Sequence, residues 1–167
     1  MLDPGMAFGT GHHPTTRMCL ELIEEIIRGD ESVLDLGCGS GILSITAVKM
    51  GAASSYGLEI QENAVKVARE NCVSNNVVDE VHIELGTLSN SSNKKNYDVV
   101  MANISSKVIV DLSESLVRSV KVGGHIILSG ILNESLSDVK KAISIFEMKI
   151  EETRVDGDWV AILGRKY

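Results

Sequence analysis

The stretch SVLDLGCGSG at residues 32–41 decides the fold of this chain. Its first five residues form a short apolar run typical of a buried strand, and Gly37, Gly39 and Gly41 follow as a glycine turn. Residues 42–50 then carry the pattern of a helix. This order of strand, turn and helix brings backbone amides and the positive end of a helix dipole to one point, where the chain can approach a ligand closely.

Outward from this turn, strands and helices alternate along the chain. Further strands are predicted at 55–60, 81–85, 97–102 and 125–129, and helices at 17–28 (with Thr16 as N-cap), 62–73, 107–120 and 134–146. Such alternation indicates parallel, right-handed βαβ units. Two final strands, 147–154 and 159–163, flank an Asp-Gly hairpin signal. We therefore predict an α/β, Rossmann-like fold: a mostly parallel seven-stranded sheet with an antiparallel C-terminal hairpin and helices on both faces.

Composition and charge limit the function. A chain of 167 residues with 44% hydrophobic residues predicts one folded domain over residues 1–167. The net charge of −7 disfavours direct binding to nucleic acid and favours a basic protein or a small molecule as partner. We expect no membrane span and a cytoplasmic chain, because the apolar runs are only strand-length and the first residues do not resemble a signal peptide. The three widely spaced cysteines predict no metal site.

An acidic residue completes a candidate cofactor site. Glu59 follows Gly37 by 22 positions, at the end of the second predicted strand, where a carboxylate can accept both hydroxyls of a ribose. We therefore predict a nucleoside-containing cofactor at the carboxyl ends of the strands. Ile42 stands where the dinucleotide fingerprint has glycine, which disfavours an NAD-dependent oxidoreductase. A tight turn with a merely solvated Glu59 is the structural alternative.

Four segments carry a resemblance to a known family. The DxGxGxG form of residues 35–41 resembles the first motif of Rossmann-like methyltransferases that use S-adenosylmethionine (SAM). Residues 2–16 (LDPGMAFGTGHHPTT), 102–104 (ANI) and 128–132 (LSGIL) resemble the bacterial ribosomal protein L11 methyltransferase family. The resemblance covers essentially the whole chain. It implies a class I SAM-dependent enzyme that methylates lysine side chains and the α-amine of that ribosomal protein and releases S-adenosylhomocysteine (SAH), without a metal.

The resemblance also implies site residues. Contacts with SAM are expected from the following positions: Thr16, Gly37, Glu59 and Asn103, together with Gly39 and Gly41 of the same turn. Residues 1–16 would form a lip over the cofactor and the target amine, with Phe8 and Thr10 in contact with SAM. For Asp35, two roles stay open, a contact with the positively charged methionine end of SAM and a buried structural carboxylate. Thr87 and Leu88 are candidates for the adenine site.

Asn103 and Ile104 are the candidate catalytic residues. We hypothesise that the Asn103 side chain, aided by the Ile104 carbonyl, accepts hydrogen bonds from the amine and aims its lone pair. The alternative role for Asn103 is a strand-end cap. Many amine and amide methyltransferases have Asn-Pro-Pro-Tyr at this point, and only the asparagine is kept here, which disfavours a planar nitrogen as acceptor. We interpret His13 as a residue that orders the backbone rather than as a base.

Three departures from the family pattern leave the substrate open. His12 stands where the family usually has threonine, and Glu59 where it usually has aspartate. Family members normally carry a separate N-terminal domain that binds the ribosomal substrate, and we expect residues 1–167 to lack it. The alternatives are a methyltransferase for a small molecule or another protein, and a SAM-binding module without turnover.

Overall fold

A computed structural model describes residues 11–91 and 95–167. Seven strands occupy these ranges: β1 (Ser32–Leu36), β2 (Ser54–Glu59), β3 (Val81–Leu85), β4 (Tyr97–Asn103), β5 (Val120–Leu132), β6 (Met148–Asp156) and β7 (Trp159–Lys166). Six α-helices accompany them: α1 (Pro14–Ile26), α2 (Ile42–Lys49), α3 (Glu62–Ser74), α4 (Ser106–Asp111), α5 (Ser113–Arg118) and α6 (Leu136–Ser144). A single turn of 3-10 helix, Asn133–Ser135, precedes α6.

The strands form one sheet in the order β3-β2-β1-β4-β5-β7-β6. The first five are parallel, whereas β7 pairs antiparallel with both β5 and β6. The predicted fold class is therefore confirmed, including the C-terminal hairpin. The chain moves outward from β1 in one direction and from β4 in the other, so the carboxyl ends of β1 and β4 flank the point where ligands bind in open α/β sheets.

Alternating side chains of the central strands bury both faces of the sheet. In β4, Val99 and Met101 pack with residues of α1 and α2, whereas Val100 and Ala102 pack with residues of α4, α5 and α6. Helix α3 packs with α2 and β3 in a third cluster around Val65. This two-residue period is what a strand covered on both sides requires, and it confirms the prediction of helices on both faces.

The beginning of α1 differs from the prediction. The helix begins at Pro14, and His13 rather than Thr16 is its N-cap, since His13 Nδ1 accepts a hydrogen bond from the Thr15 amide at 3.3 Å. Proline suits the first helical position because its missing N–H would have no partner there. Thr16 is instead fully buried inside the helix. The prediction of Thr16 as a cap is therefore wrong.

The region predicted as one helix at 107–120 is divided. Helices α4 and α5 are six residues each and meet at Leu112, and β5 already begins at Val120. Pairing of Tyr97 with Val120 extends the sheet toward the amino end of β4. Gly124 allows this extension, because a Cβ atom there would lie 2.7 Å from the carbonyl oxygen of Asp98. None of the helices in the described ranges is long and apolar enough to cross a bilayer.

Candidate active site

A cavity of about 420 Å³ opens at the carboxyl ends of β1, β2 and β4. Its volume lies within the range of pockets that hold cofactor-sized ligands. Three strands bring predicted residues into its lining: Asp35, Gly37, Gly39, Glu59, Asn103 and Ile104. Residues far apart in the sequence thus meet because the parallel strands end at the same edge of the sheet.

The glycine turn forms the part of the wall where the backbone itself faces the cavity. Gly37, Gly39 and Gly41 all have positive φ angles, +71°, +53° and +83°. A Cβ atom on Gly37 would lie 2.5 Å from the Cγ2 atom of Ile104. Glycine therefore satisfies two needs at this position, a left-handed backbone and a close approach of the β4 end. The turn is fastened to β2, because the amides of Gly37 and Cys38 donate to the Leu58 carbonyl at 2.7 and 3.0 Å.

The structure shows one of the two roles left open for Asp35, that of a buried structural carboxylate, and a contact with SAM stays a prediction. The Asp35 carboxylate is buried, and its Oδ2 accepts hydrogen bonds from the Ser44 amide at 3.2 Å and the Ser44 hydroxyl at 2.8 Å. These bonds hold α2 against β1, which is a structural role. Burial raises the pKa of Asp35 to about 6, although the bonds from Ser44 act in the opposite direction. Asp35 also lines the cavity, where a nearby cation would stabilise its charged form.

Glu59 connects the glycine turn with the beginning of α3. Its Oε2 accepts from the Gly39 amide at 3.0 Å, and its Oε1 accepts from the amides of Ile60 and Gln61 at 2.8 and 3.0 Å. A carboxylate offers about four acceptor positions, so capacity remains for a hydroxyl donor. The structural alternative, a merely solvated side chain, does not hold, because Glu59 is only 8% exposed. Ribose binding by Glu59 stays a prediction.

Asn103 lies at the end of β4, and its side-chain amide is held by a hydrogen bond to a residue of α1. Its Nδ2 donates to the Oγ1 atom of Thr16 at 3.3 Å, which leaves the Oδ1 atom as the acceptor for an incoming N–H group. Thr16 lies outside the cavity lining and orients Asn103, and its predicted contact with SAM stays a prediction. Gly41 also lies outside the lining, at the N-cap of α2. Phe8 and Thr10 lie outside the described residues.

Several lining residues were not singled out from the sequence. The cavity wall also contains the following residues: Ile60, Gln61, Ala64, Ser105, Val108 and Leu112. Ile60 and Gln61 directly follow Glu59, so their place after a strand end was the signal that could have found them. Of the two adenine candidates, Thr87 lines the cavity, whereas Leu88 packs against the apolar core under α4 to α6.

Two reactive side chains near the site have structural roles. His13 caps α1, bonds the Thr15 hydroxyl at 2.8 Å and meets the edge of Trp159, with ring centroids 5.0 Å apart. These contacts are what the interpretation of His13 as a backbone-ordering residue requires. Burial raises the pKa of Cys38, so its thiol stays protonated near neutral pH. Within residues 11–91 and 95–167, no three His, Cys, Asp or Glu side chains are grouped to hold a metal ion.

Comparison with known proteins decides the family. The family model described as ribosomal protein L11 methyltransferase (PrmA) matches residues 1–167. The chain belongs to this family. Proteins named ribosomal protein L11 methyltransferase from Exiguobacterium sp. and Pelobacter propionicus are 46% and 45% identical to it, over 99% of this chain and 53% and 54% of theirs. The chain thus spans about half the length of the curated relatives it matches.

Solved structures agree with the architecture of this member of the L11 methyltransferase family. A ribosomal protein L11 methylase from Lactobacillus delbrueckii subsp. bulgaricus superposes with a TM-score of 0.88 and 29% identity, over 99% of this chain and 83% of that one. An RNA methyltransferase from Salinibacter ruber in complex with SAH has a TM-score of 0.71 and 22% identity, over 90% and 92%. The second likeness concerns the fold alone.

The residues of this family member fit a SAM molecule in chemical terms. The carboxylates of Asp35 and Glu59 both line the cavity. The Asp35 carboxylate suits the cationic amino-acid end of SAM, and the Glu59 carboxylate suits its ribose. Between them, the glycine turn has bare backbone, which a ligand can approach closely. A side chain at Gly37 would not fit, because its Cβ atom would collide with Ile104. The cavity therefore brings together acceptors for a cationic amino group and for a ribose hydroxyl, and binding of SAM by them stays a prediction.

Proposed function

We propose that this chain transfers methyl groups from SAM to amines of ribosomal protein L11, namely lysine side chains and the α-amine. One observation carries the proposal: Asn103 and Ile104 line the same cavity as the glycine turn and the two carboxylates. An amine acceptor and a methyl donor can therefore meet at the end of β4. Membership of the L11 methyltransferase family supports the choice of substrate.

Asp35, Glu59 and the glycine turn would hold the cofactor, which when bound supplies a methyl group on a positively charged sulfur. The bound cofactor would supply this methyl group to the lone pair of a neutral amine and leave as SAH, and the amine would take over the positive charge and release a proton to solvent. Asn103 Oδ1 and the Ile104 carbonyl can each accept an N–H bond of a neutral amine, which aims the lone pair at the methyl group. Positioning of this kind supplies effective molarities of about 10⁵ M or more.

Charge supports a basic protein as the acceptor. The net charge of −7 favours a lysine-rich partner through attraction before contact. A ribosomal substrate would place the activity in the cytoplasm. We also propose that residues 1–167 act as one methyltransferase domain in which the segment before α1 covers the cofactor and the amine.

Mass spectrometry of purified ribosomal protein L11, after incubation with this chain and SAM, tests the proposal. We expect mass increments of whole methyl groups on lysine residues or the α-amine. The variant Asn103→Ala should lose these increments, with turnover reduced at least about a hundredfold because the amine is no longer aimed. Asn75→Ala is the matched control, since Asn75 caps the end of α3 and should leave turnover unchanged.

Calorimetric titration with SAH separates the alternatives. If SAH binds and no increment appears on the ribosomal protein, the proposed substrate is wrong, and methylation of a small amine by the same sample would identify a different acceptor. If SAH binds and no amine is methylated, the chain is a SAM-binding module. If Asn103→Ala methylates as fast as the wild type, the role of Asn103 is wrong.

A further inference from the structure

Strand β5 contains a bulge directly beside the candidate catalytic residues. The pairing of β5 with β7 shifts register between Leu128 and Ile131, so that Ser129 and Gly130 stand opposite a single residue of β7. On its other side, Ser129 pairs with Asn103 at the end of β4. Bulges next to active sites re-aim neighbouring groups, and this one adjoins the peptide that follows Asn103.

The bulge holds the peptide group of Ile104 at close range. The Ile104 amide donates to the Ser129 carbonyl at 3.2 Å. Gly130 has a φ of +80°, and a Cβ atom there would overlap the Ile104 carbonyl oxygen and lie 2.9 Å from the carbonyl carbon and 3.1 Å from the nitrogen. These atoms are backbone and cannot swing aside as a flexible side chain does. The Ile104 peptide can therefore take this position only because residue 130 has no side chain.

Three further contacts hold the end of β4, and together with the contacts of Ser129 and Gly130 to Ile104 they form a clamp around it. Opposite the bulge, the side chain of Ile104 packs over Gly37 of the cofactor turn. The Ser129 hydroxyl donates to the Thr15 carbonyl at 3.2 Å, and the Asn103 side chain donates to Thr16. The bulge and Asn103 are thus both fastened to the first turn of α1. Small movements of Gly130 would be transmitted to both acceptors of the amine.

We propose that Gly130 is a positioning residue for methyl transfer, acting through the Ile104 carbonyl. This inference rests on the proposed function, because it assigns the carbonyl to the target amine. A methyl side chain at Gly130 would displace the Ile104 peptide and misdirect one of the two acceptors. The three heavy atoms nearest to the added Cβ atom all belong to Ile104, whereas Gly39 and Glu59 bond to each other, so binding of the cofactor itself should change little.

The test compares Gly130→Ala with Gly123→Ala. Both glycines lie in β5 with nearly the same φ, +80° and +81°, so alanine imposes the same backbone strain on each. At Gly123, however, nothing lies within 4 Å of the added Cβ atom. We expect Gly130→Ala to lower kcat on ribosomal protein L11 at least about tenfold, with the Kd for SAH changed less than about twofold. Gly123→Ala should leave both quantities near the wild-type values.

A second arm needs no turnover. Sinefungin, the SAM analogue with an amino group where the transferred methyl stands, would on this proposal place N–H donors next to Asn103 and Ile104. Gly130→Ala should weaken sinefungin binding about fivefold or more relative to SAH binding, as expected when one hydrogen bond to a charged amine is lost. Gly123→Ala should leave the ratio of the two Kd values unchanged.

These outcomes separate the two proposals. If the wild type does not methylate the ribosomal protein, the proposed substrate fails, and the sinefungin ratio still decides the role of Gly130. Equal ratios and equal kcat in the two variants would overturn the inference. So would a loss of SAH affinity as large as the loss of kcat, because Gly130 would then support the cofactor site as a whole.

Discussion

Replacement of Asp35 by asparagine removes an ionisable group from the wall of the cavity while its shape stays almost the same. An asparagine Oδ1 can accept the same hydrogen bonds from Ser44 that the carboxylate accepts now. What changes is the proton equilibrium. Burial raises the pKa of Asp35 from the ordinary 3.8 to about 6 in the folded chain. The folded state therefore binds more protons than the unfolded state between pH 4 and pH 6.

The sign and size of the effect follow from this difference. Because the pKa of Asp35 is higher in the folded chain, its contribution to the free energy of unfolding falls as pH rises from about 4 to about 6 and is constant above. About two pH units, at about 1.4 kcal/mol each, give about 3 kcal/mol. The Asp35→Asn variant does not lose this stability as pH rises, because asparagine does not ionise. Relative to the wild type, it should gain about 2 kcal/mol of stability between pH 4.5 and pH 7.5, because about 1 kcal/mol of the loss already falls below pH 4.5.

Urea unfolding at several pH values in this interval, followed by circular dichroism, measures the difference. Asp98→Asn is the control. Burial alone would raise the pKa of Asp98, but hydrogen bonds from Lys121 and Ser32 lower it to about 2. Both the folded and the unfolded pKa of Asp98 lie below the interval, so its difference from the wild type should not change with pH. If the Asp35→Asn difference is also constant, or falls with rising pH, the reasoning about burial is refuted.

Two further predictions concern stability away from the cavity. The Arg154 guanidinium binds carboxylates of α1 and β6, at 2.6 Å from Glu25 Oε2 and 2.5 Å from Glu152 Oε1. Arg154→Ala should lower the free energy of unfolding by only about 1 kcal/mol, because these carboxylates are largely solvent-exposed. In urea unfolding, 1 M salt should reduce the difference between the variant and the wild type. In Gly57→Ala, the new Cβ atom would lie 2.6 Å from Ile83 Cδ1, and we expect a loss of about 1–3 kcal/mol by thermal unfolding. A Tm equal to that of the wild type would show that the neighbours of Gly57 can move aside.

Local patterns were enough to predict most of the fold. The apolar run at 32–36 appears as β1 with the predicted bounds, since a buried strand needs continuous apolar residues on both faces. The Asp-Gly signal likewise marks the antiparallel hairpin of β6 and β7. In each case, the side-chain pattern or turn signal that marks the element lies within a few neighbouring residues. The glycine turn and Glu59 could be assigned to one site because each stands at the end of a predicted parallel strand, and such strands end at the same edge of a sheet.

Other features depended on contacts between distant segments. Thr16 suits a helix cap by its residue type, but the presence of Pro14 and the packing of α1 on the sheet bury it behind Asn103. The early start of β5 likewise follows from its pairing with β4.

The sequence by itself determined the order of the elements, the glycine turn and the chemical types of the candidate site residues. Only the tertiary structure decided how the site is oriented. A Gly130 within a strand pattern indicates little until the end of β4 lies against it, and the raised pKa of Asp35 exists only because α2 and the sheet exclude water from it. Orientation and burial are properties of packing between segments far apart in the chain, and residue order does not specify them locally.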